Sequence, residues 1–131
     1  MTKGLRLVQD ASEGLALEAT LLDAADCDVL VWSPRTRSIV GPASLIRKLR
    51  LDARQRFEDW PIVSRPTGGG AVPQGHGVLN VAISYNASPG TTIDDGYSVL
   101  TQILCEALPE WELAPGPVAS SFCDGGWNLS S

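Results

Sequence analysis

The run Val63-Ser64-Arg65-Pro66-Thr67-Gly68-Gly69-Gly70-Ala71-Val72 constrains the fold of this chain more than any other segment. Trp60 to Val63 reads as an apolar strand, and it leads into an arginine and then three consecutive glycines. Glycine lacks a Cβ, so its backbone can approach a ligand closely and adopt angles closed to other residues. Arg65 places a permanent planar cation beside that bare backbone. The pair suits a carboxylate, a phosphate or an acyl-adenylate. A triple glycine can equally be a plain flexible turn. Here, though, Ile62-Val63 precedes it and Ala71-Val72 follows, where a linker would be polar. The next run, Gly75 to Tyr85, alternates apolar and polar residues like a half-buried strand. The glycines are therefore expected to form a hairpin-type connection between strands.

The rest of the chain reads as alternating short strands and helices. Gly4 to Gln9 reads as a first strand. Asp10 and Glu13 have the spacing of a capping pair, for a helix from about Ala11 to Ala25. Leu15, Ala19 and Leu22 form its apolar stripe, widened by Leu21 and Ala25. Val29 to Trp32 and Ser38 to Val40 read as strands. Pro42 can open a second helix at its first position, with Leu45, Leu49, Ala53 and Phe57 inward. After the Leu79–Tyr85 strand, Thr92 can cap a last helix with Asp94 and Asp95 in its first turn. Ile93, Tyr97, Leu100, Leu104 and Leu108 give its buried side, and Pro109 stops it. A short strand is expected near Val118 to Phe122. The predicted class is α+β, with a mostly antiparallel or mixed sheet and helices packed on one side.

Composition narrows the function classes. At 131 residues the chain is expected to be at most one domain, and its 44% hydrophobic content is ordinary for a globular protein. A formal net charge of −5 argues against general nucleic-acid binding. Eight of the ten basic residues nevertheless fall between Arg35 and Arg65. They form either a solvated helix face or a landing site for an acidic protein or nucleotide. Cys27, Cys105 and Cys123 are widely spaced, and there is no Cys-x-x-Cys pair. This suggests a reducing compartment and neither a zinc site nor a disulfide framework. No apolar run approaches the roughly 18 residues needed to cross a bilayer. A cytoplasmic protein with no membrane or nucleic-acid partner is expected.

Arg65-Pro66-Thr67-Gly68-Gly69-Gly70-Ala71-Val72, followed by Gly77-Val78-Leu79-Asn80, closely resembles the signature of the lipoate–protein ligase and octanoyltransferase family. That family shares its catalytic fold with biotin–protein ligases. Many members carry histidine two residues after the Val, where this chain has Gln74, and the nearest histidine is His76. The resemblance extends back through Glu13 to Pro34 and Ser38 to Gly41, and forward to Ser121 through Leu129. It implies a class II biotin/lipoyl ligase-like domain over residues 1–131, in incomplete form. The Gly-Arg-Lys turn whose lysine contacts the acyl group in family members is absent, and residues 66–131 hold no Lys or Arg.

The resemblance also implies a chemistry. A lipoyl or octanoyl group is attached to a lysine of an acceptor protein. Its source is either ATP and the free acid, with magnesium as a possible companion, or an acyl carrier protein. The implied binding residues are Arg65, Thr67, Gly68, Gly69, Gly70, Ala71, Val72 and Pro73, with the amides of Gly70, Ala71 and Val72 as donors. Trp32 and Leu79 are candidates for the wall of an acyl slot, Trp32 being equally a core residue. His76 is a candidate for acid–base work or ligand contact, or else a loop residue with a hydrogen bond, and Asn80 either contacts ligand or ties the loop to its strand. Asp124 is a candidate for orienting ligand or metal. Cys123 is either a nucleophile or a buried small hydrophobe, because a thiol needs a neighbouring cation to attack well. The expected partners are a lipoyl-acceptor domain or carrier protein, together with a second chain or a second copy that completes the sheet. The alternative is a non-catalytic acyl-binding module.

Overall fold

A computed structural model describes residues 4–23, 27–48, 59–120 and 125–131. The chain divides into two compact units, Met1–Asn86 and Ala87–Ser131.

The first unit holds two three-stranded sheets. In one, β1 (Arg6–Val8) pairs parallel with β2 (Asp28–Pro34), and β2 pairs antiparallel with β6 (Asn80–Ser84). In the other, β3 (Ser38–Pro42) is central, parallel to β4 (Ile62–Arg65) and antiparallel to β5 (Val72–Gln74). Both sheets are thus mixed, as the sequence predicts.

Helix α1 (Ala11–Leu21) packs on β2. Asp10 caps it by accepting from the Glu13 amide at 3.0 Å, and the Glu13 carboxylate accepts from the Gln9 amide at 2.7 Å. Side chains thereby satisfy two otherwise orphaned donors at the chain's entry to the helix. The core joins Val8, Ala11, Leu21, Leu30, Trp32 and Val40, with Leu15, Leu17, Val63 and Ala82 packed around it. Trp32, at 1% exposure, sits over Gly14, and its indole N–H donates to Glu18 at 2.8 Å.

This packing corrects the predicted stripe. The face turned to the core runs through Ala11, Gly14, Glu18 and Leu21, spaced as one side of a helix, while Leu22 is 86% exposed. A bulky indole needs small residues opposite it, so the core side of α1 carries alanine and glycine. The more conspicuous leucines are displaced to the flank. Ala25, expected on the same stripe, lies outside the described residues.

Two further corrections bear on the glycine loop. Pro42 ends β3 opposite Arg65, and α2 (Ala43–Lys48) begins only after it. Proline cannot donate to a sheet ladder, and at the end of β3 it interrupts no pairing further along the strand. Leu45 is half-buried, while Leu49, Ala53 and Phe57 lie outside the described residues. Strands β4 and β5 do not form a hairpin. They flank β3, so residues 66–71 cross the end of that strand.

In the second unit, Thr92 caps α3 (Ile93–Ala107), as predicted, and Asp95 answers it to close a capping box. A 3-10 turn, Pro109–Trp111, follows. Of the strand predicted near Val118 to Phe122, Val118 to Ser120 are not strand, and Ser121 and Phe122 lie outside the described residues. The described strands of this unit are β7 (Ala114–Gly116) and β8 (Asn128–Ser130), paired with Pro115 opposite Leu129. Leu100, Leu104 and Leu108 are half-buried, but Ile93 is 80% exposed and Tyr97 stacks on Trp127 with centroids 6.0 Å apart.

Candidate functional site

The glycine loop is organised around Arg65, the last residue of β4. Its Nε and Nη2 donate to the Gly68 carbonyl at 3.3 and 2.8 Å. Nη2 also donates to the Gly70 carbonyl at 2.7 Å, and Nη1 to the Val40 carbonyl at 3.4 Å. Gly69 sits between those two carbonyls with φ +99°, and a Cβ there would lie 3.0 Å from Nη2. This is the one loop position where the conformation itself requires glycine. Gly68 to Ala71 are exposed, and within the described residues their amides form no hydrogen bond. Val72 is different, because it is registered opposite Val40 in the ladder.

Beside the loop runs a groove of about 460 Å³. Leu15, Ala19 and Leu22 of α1 form one wall, Ala82 and Ser84 of β6 line another side, and Arg65 and Thr67 complete it. The leucine stripe that sequence periodicity assigns to the core therefore borders this cleft. Glu18 also lines the groove, held by the Trp32 indole. The Ser84 hydroxyl oxygen is buried and makes no hydrogen bond. A buried hydroxyl without a partner costs free energy unless a ligand or water supplies one. The groove is an apolar trough with one cation at its edge, and the open amides of Gly68 to Ala71 follow directly after its lining residue Thr67, an arrangement that suits an apolar chain ending in a negatively charged or carbonyl head.

Two side chains fix the junction between the sheets. The Gln74 amide nitrogen donates to Asn80 Oδ1 at 2.9 Å, and Asn80 Nδ2 donates back to Gln74 Oε1 at 2.9 Å. Asn80 Nδ2 also reaches the Trp32 carbonyl at 3.5 Å. Asn80 thus ties β6 to the strand that leaves the loop.

The remaining predicted residues scatter. Thr67 stands in the groove, and Val72 and Pro73 lie in β5. His76 and Leu79 instead line a separate cleft of about 580 Å³ with Leu5 and Leu7. Leu79 is 59% exposed there, and Trp32 is core. Cys123 and Asp124 lie outside the described residues. Sequence reasoning missed Glu18, Ser84 and the pairing of Gln74. Of these, only Glu18 carried a signal, as the one charge on the stripe Ala11, Gly14, Leu21.

Comparison with known proteins adds a family to this geometry. The family model described as the lipoyl protein ligase A/B catalytic domain matches residues 10–116. The uncharacterized protein H16_B0148 of Cupriavidus necator is 35% identical over 136 residues, covering 93% of this chain and 52% of that protein. The octanoyl-[GcvH]:protein N-octanoyltransferase of Anoxybacillus flavithermus is 35% identical over 74 residues, 56% of this chain and 27% of the enzyme. Among solved structures, protein Ta0514 of T. acidophilum with bound lipoic acid superposes with a TM-score of 0.67 at 17% identity, over 96% of this chain and 56% of that one. Lipoate-protein ligase A bound with ATP gives 0.67 at 17%, over 92% and 52%. A bi-partite lipoate protein ligase from Thermoplasma acidophilum gives 0.64 at 18%, over 91% and 49%. The chain spans at most about half the length of these two curated relatives.

Proposed function

Because the chain belongs to the lipoyl protein ligase A/B catalytic domain family, we propose that it holds a lipoyl or octanoyl group in the groove between α1 and β6. The acyl head lies at the loop that follows Arg65, on its way to a lysine of an acceptor protein. The observation that carries this reading is the joining of the Leu15, Ala19 and Leu22 wall to Arg65 and Thr67 in one cleft.

Two sources of the acyl group fit the family. In a ligase, the acid's carboxylate attacks the α-phosphorus of ATP and pyrophosphate leaves, magnesium entering with the phosphates. In a transferase, the acyl group arrives as a thioester on a carrier protein. In either case the acceptor lysine attacks the carbonyl, negative charge gathers on its oxygen, and AMP or the carrier thiol departs. Fixed donors aimed at that oxygen lower the barrier, and the open amides of the loop are such donors.

Residues 66–131 contain no Lys or Arg. In the reading we favour, the family's acyl-contacting lysine lies outside residues 1–131, whether on the same polypeptide or on a second one, and a bi-partite archaeal lipoate protein ligase is a structural neighbour. Residues 1–131 then act as one portion of a catalytic domain, in the cytoplasm. The described helices include none long and apolar enough to cross a membrane.

The direct test is calorimetric titration with non-hydrolysable octanoyl-, hexanoyl- and butanoyl-adenylate analogues. Each buried CH2 is worth about 0.8 kcal/mol, so every two carbons removed should weaken binding by roughly 15-fold. Affinity independent of chain length would sink the groove assignment. Mass spectrometry of an acceptor lipoyl domain incubated with this chain, ATP and lipoate, with and without a candidate second subunit, then reads transfer. Modification only with both chains present supports the split form. Binding without transfer in either mixture leaves an acyl-binding module.

A further inference from the structure

Arg65 is the obvious residue to grip the acyl head, but four of its five donors are already engaged by the loop and β3. A guanidinium carries five N–H groups. The single Nε–H, both protons of Nη2 and one of Nη1 are directed at the carbonyls of Gly68, Gly70 and Val40. We propose that Arg65 is a positioning residue, which acts on the acyl head only through the loop it folds, and that the amides of Gly69 and Ala71 make the contact. This rests on the function proposed above.

The argument follows from peptide geometry. In a planar trans peptide the carbonyl of one residue and the amide of the next point in opposite directions. The described chain contains no cis peptide bond. With the Gly68 and Gly70 carbonyls drawn to the guanidinium, the N–H groups of Gly69 and Ala71 point away from it. Those two amides form no hydrogen bond within the described residues, and both residues are exposed. The positive φ of Gly69 is what lets both carbonyls converge on one cation. The cation still assists at one remove. A hydrogen bond to a carbonyl polarises its peptide, and chains of hydrogen bonds strengthen one another by roughly 10–30% per bond. The ligand class is the negatively charged or carbonyl oxygen of an activated acid.

Lysine distinguishes the two roles. A direct charge contact survives, weakened, in Arg65→Lys, because an ammonium still attracts an anion. A strut does not, because a single ammonium cannot span three carbonyls as the planar fork does. The experiment is 1H–15N NMR of the full chain and of Arg65→Lys and Arg65→Ala, each titrated with octanoyl-sulfamoyl adenosine, a non-hydrolysable acyl-adenylate analogue. In the parent, the ligand should move the Gly69 and Ala71 amide peaks and leave the Arg65 Nε–H peak in place. Both variants should show displaced Gly68–Ala71 peaks before any ligand is added. Both should lose affinity alike, by about tenfold or more, the scale of one charge-assisted hydrogen bond. A ligand that moves the Arg65 Nε–H peak and not the amides overturns the proposal, and so does lysine restoring most of the affinity. The parent titration needs no variant, so a folding failure in either one leaves the question decidable. If the parent does not bind the analogue, the acyl-binding function falls. The strut is then judged on ligand-free spectra, where unmoved Gly68–Ala71 peaks in Arg65→Lys overturn it.

Discussion

The side-chain amides of Gln74 and Asn80 exchange two hydrogen bonds, each 2.9 Å long, across the junction between β5 and β6. Gln74 is only 7% exposed, so neither amide can easily trade its partner for water. Gln74→Ala should therefore destabilise the fold by about 1–3 kcal/mol, the cost of leaving a buried polar group unsatisfied. Gln74→Ala combined with Asn80→Ala should cost clearly less than the sum of the single changes, because the double change removes both orphans. Urea unfolding of the four proteins measures this, and simple additivity would show that the pair does not couple the sheets.

Gly14 is fixed by the ring it faces. A methyl group there would run into the six-membered ring of Trp32, which is fully buried. Gly14→Ala should gain roughly 1 kcal/mol of helix propensity and still lose stability overall, since overpacking costs about 1–3 kcal/mol or more. Tryptophan fluorescence during urea unfolding gives the answer. A more stable Gly14→Ala protein would mean that the indole has room to move.

Glu18 accepts from the Trp32 indole at 2.8 Å. Glu18→Gln keeps a carbonyl oxygen for that N–H and should be nearly neutral. Glu18→Ala orphans the donor and should cost about 1–3 kcal/mol. Equal stability of the two variants would show that the bond contributes nothing.

Two neighbouring glycines should behave oppositely. Gly68→Ala meets nothing within 4 Å, whereas Gly69→Ala combines φ +99° with a 3.0 Å approach to Arg65 Nη2. The second change should cost about 1–3 kcal/mol, the range for backbone held where L-residues are strained, and should disturb the loop amides by NMR. The first should do neither. Matching behaviour would mean that the loop is not held as described.

Asp95 reports on the start of α3. The Thr92 backbone amide, donating at 2.7 Å, and then the Thr92 hydroxyl at 2.8 Å hold its carboxyl below the ordinary aspartate value. A depressed folded-state value means that the cap is fully formed above the unfolded value. The cap is lost as pH falls through the folded one. The α3 N-terminus should thus fray only in the acid range below ordinary aspartates. Thr92→Ala keeps the backbone donor and removes only the hydroxyl, so it should bring Asp95 part of the way back toward its usual titration, followed by carboxyl NMR. An unchanged titration would remove the Thr92 hydroxyl as a contributor and leave the backbone amide as the cause.

Features that depend on nearby residues were legible in the sequence. Asp10 with Glu13 caps one helix and Thr92 caps another, and both caps form as predicted, with Asp95 of the first turn bonded back to Thr92. The strands around Trp32 and Asn80 were equally plain. The core side of α1 was not legible, because leucines outshine alanine and glycine on any hydropathy scale. Only the position of Trp32 reveals that small residues are required there. Nor could spacing reveal that β3 separates β4 from β5, since strand order depends on pairings distant in sequence.

The amino-acid order by itself determined the family, the caps and a glycine loop entered by a cation, because these depend on chemistry carried within a few residues. Folding in three dimensions decided how that chemistry is deployed. It turned the guanidinium onto the Gly68 and Gly70 carbonyls, set a leucine flank along a groove, and matched Gln74 to Asn80. Each outcome depends on which polar groups lose water when distant segments meet, and a buried donor or acceptor must then find its partner wherever the packing has placed one.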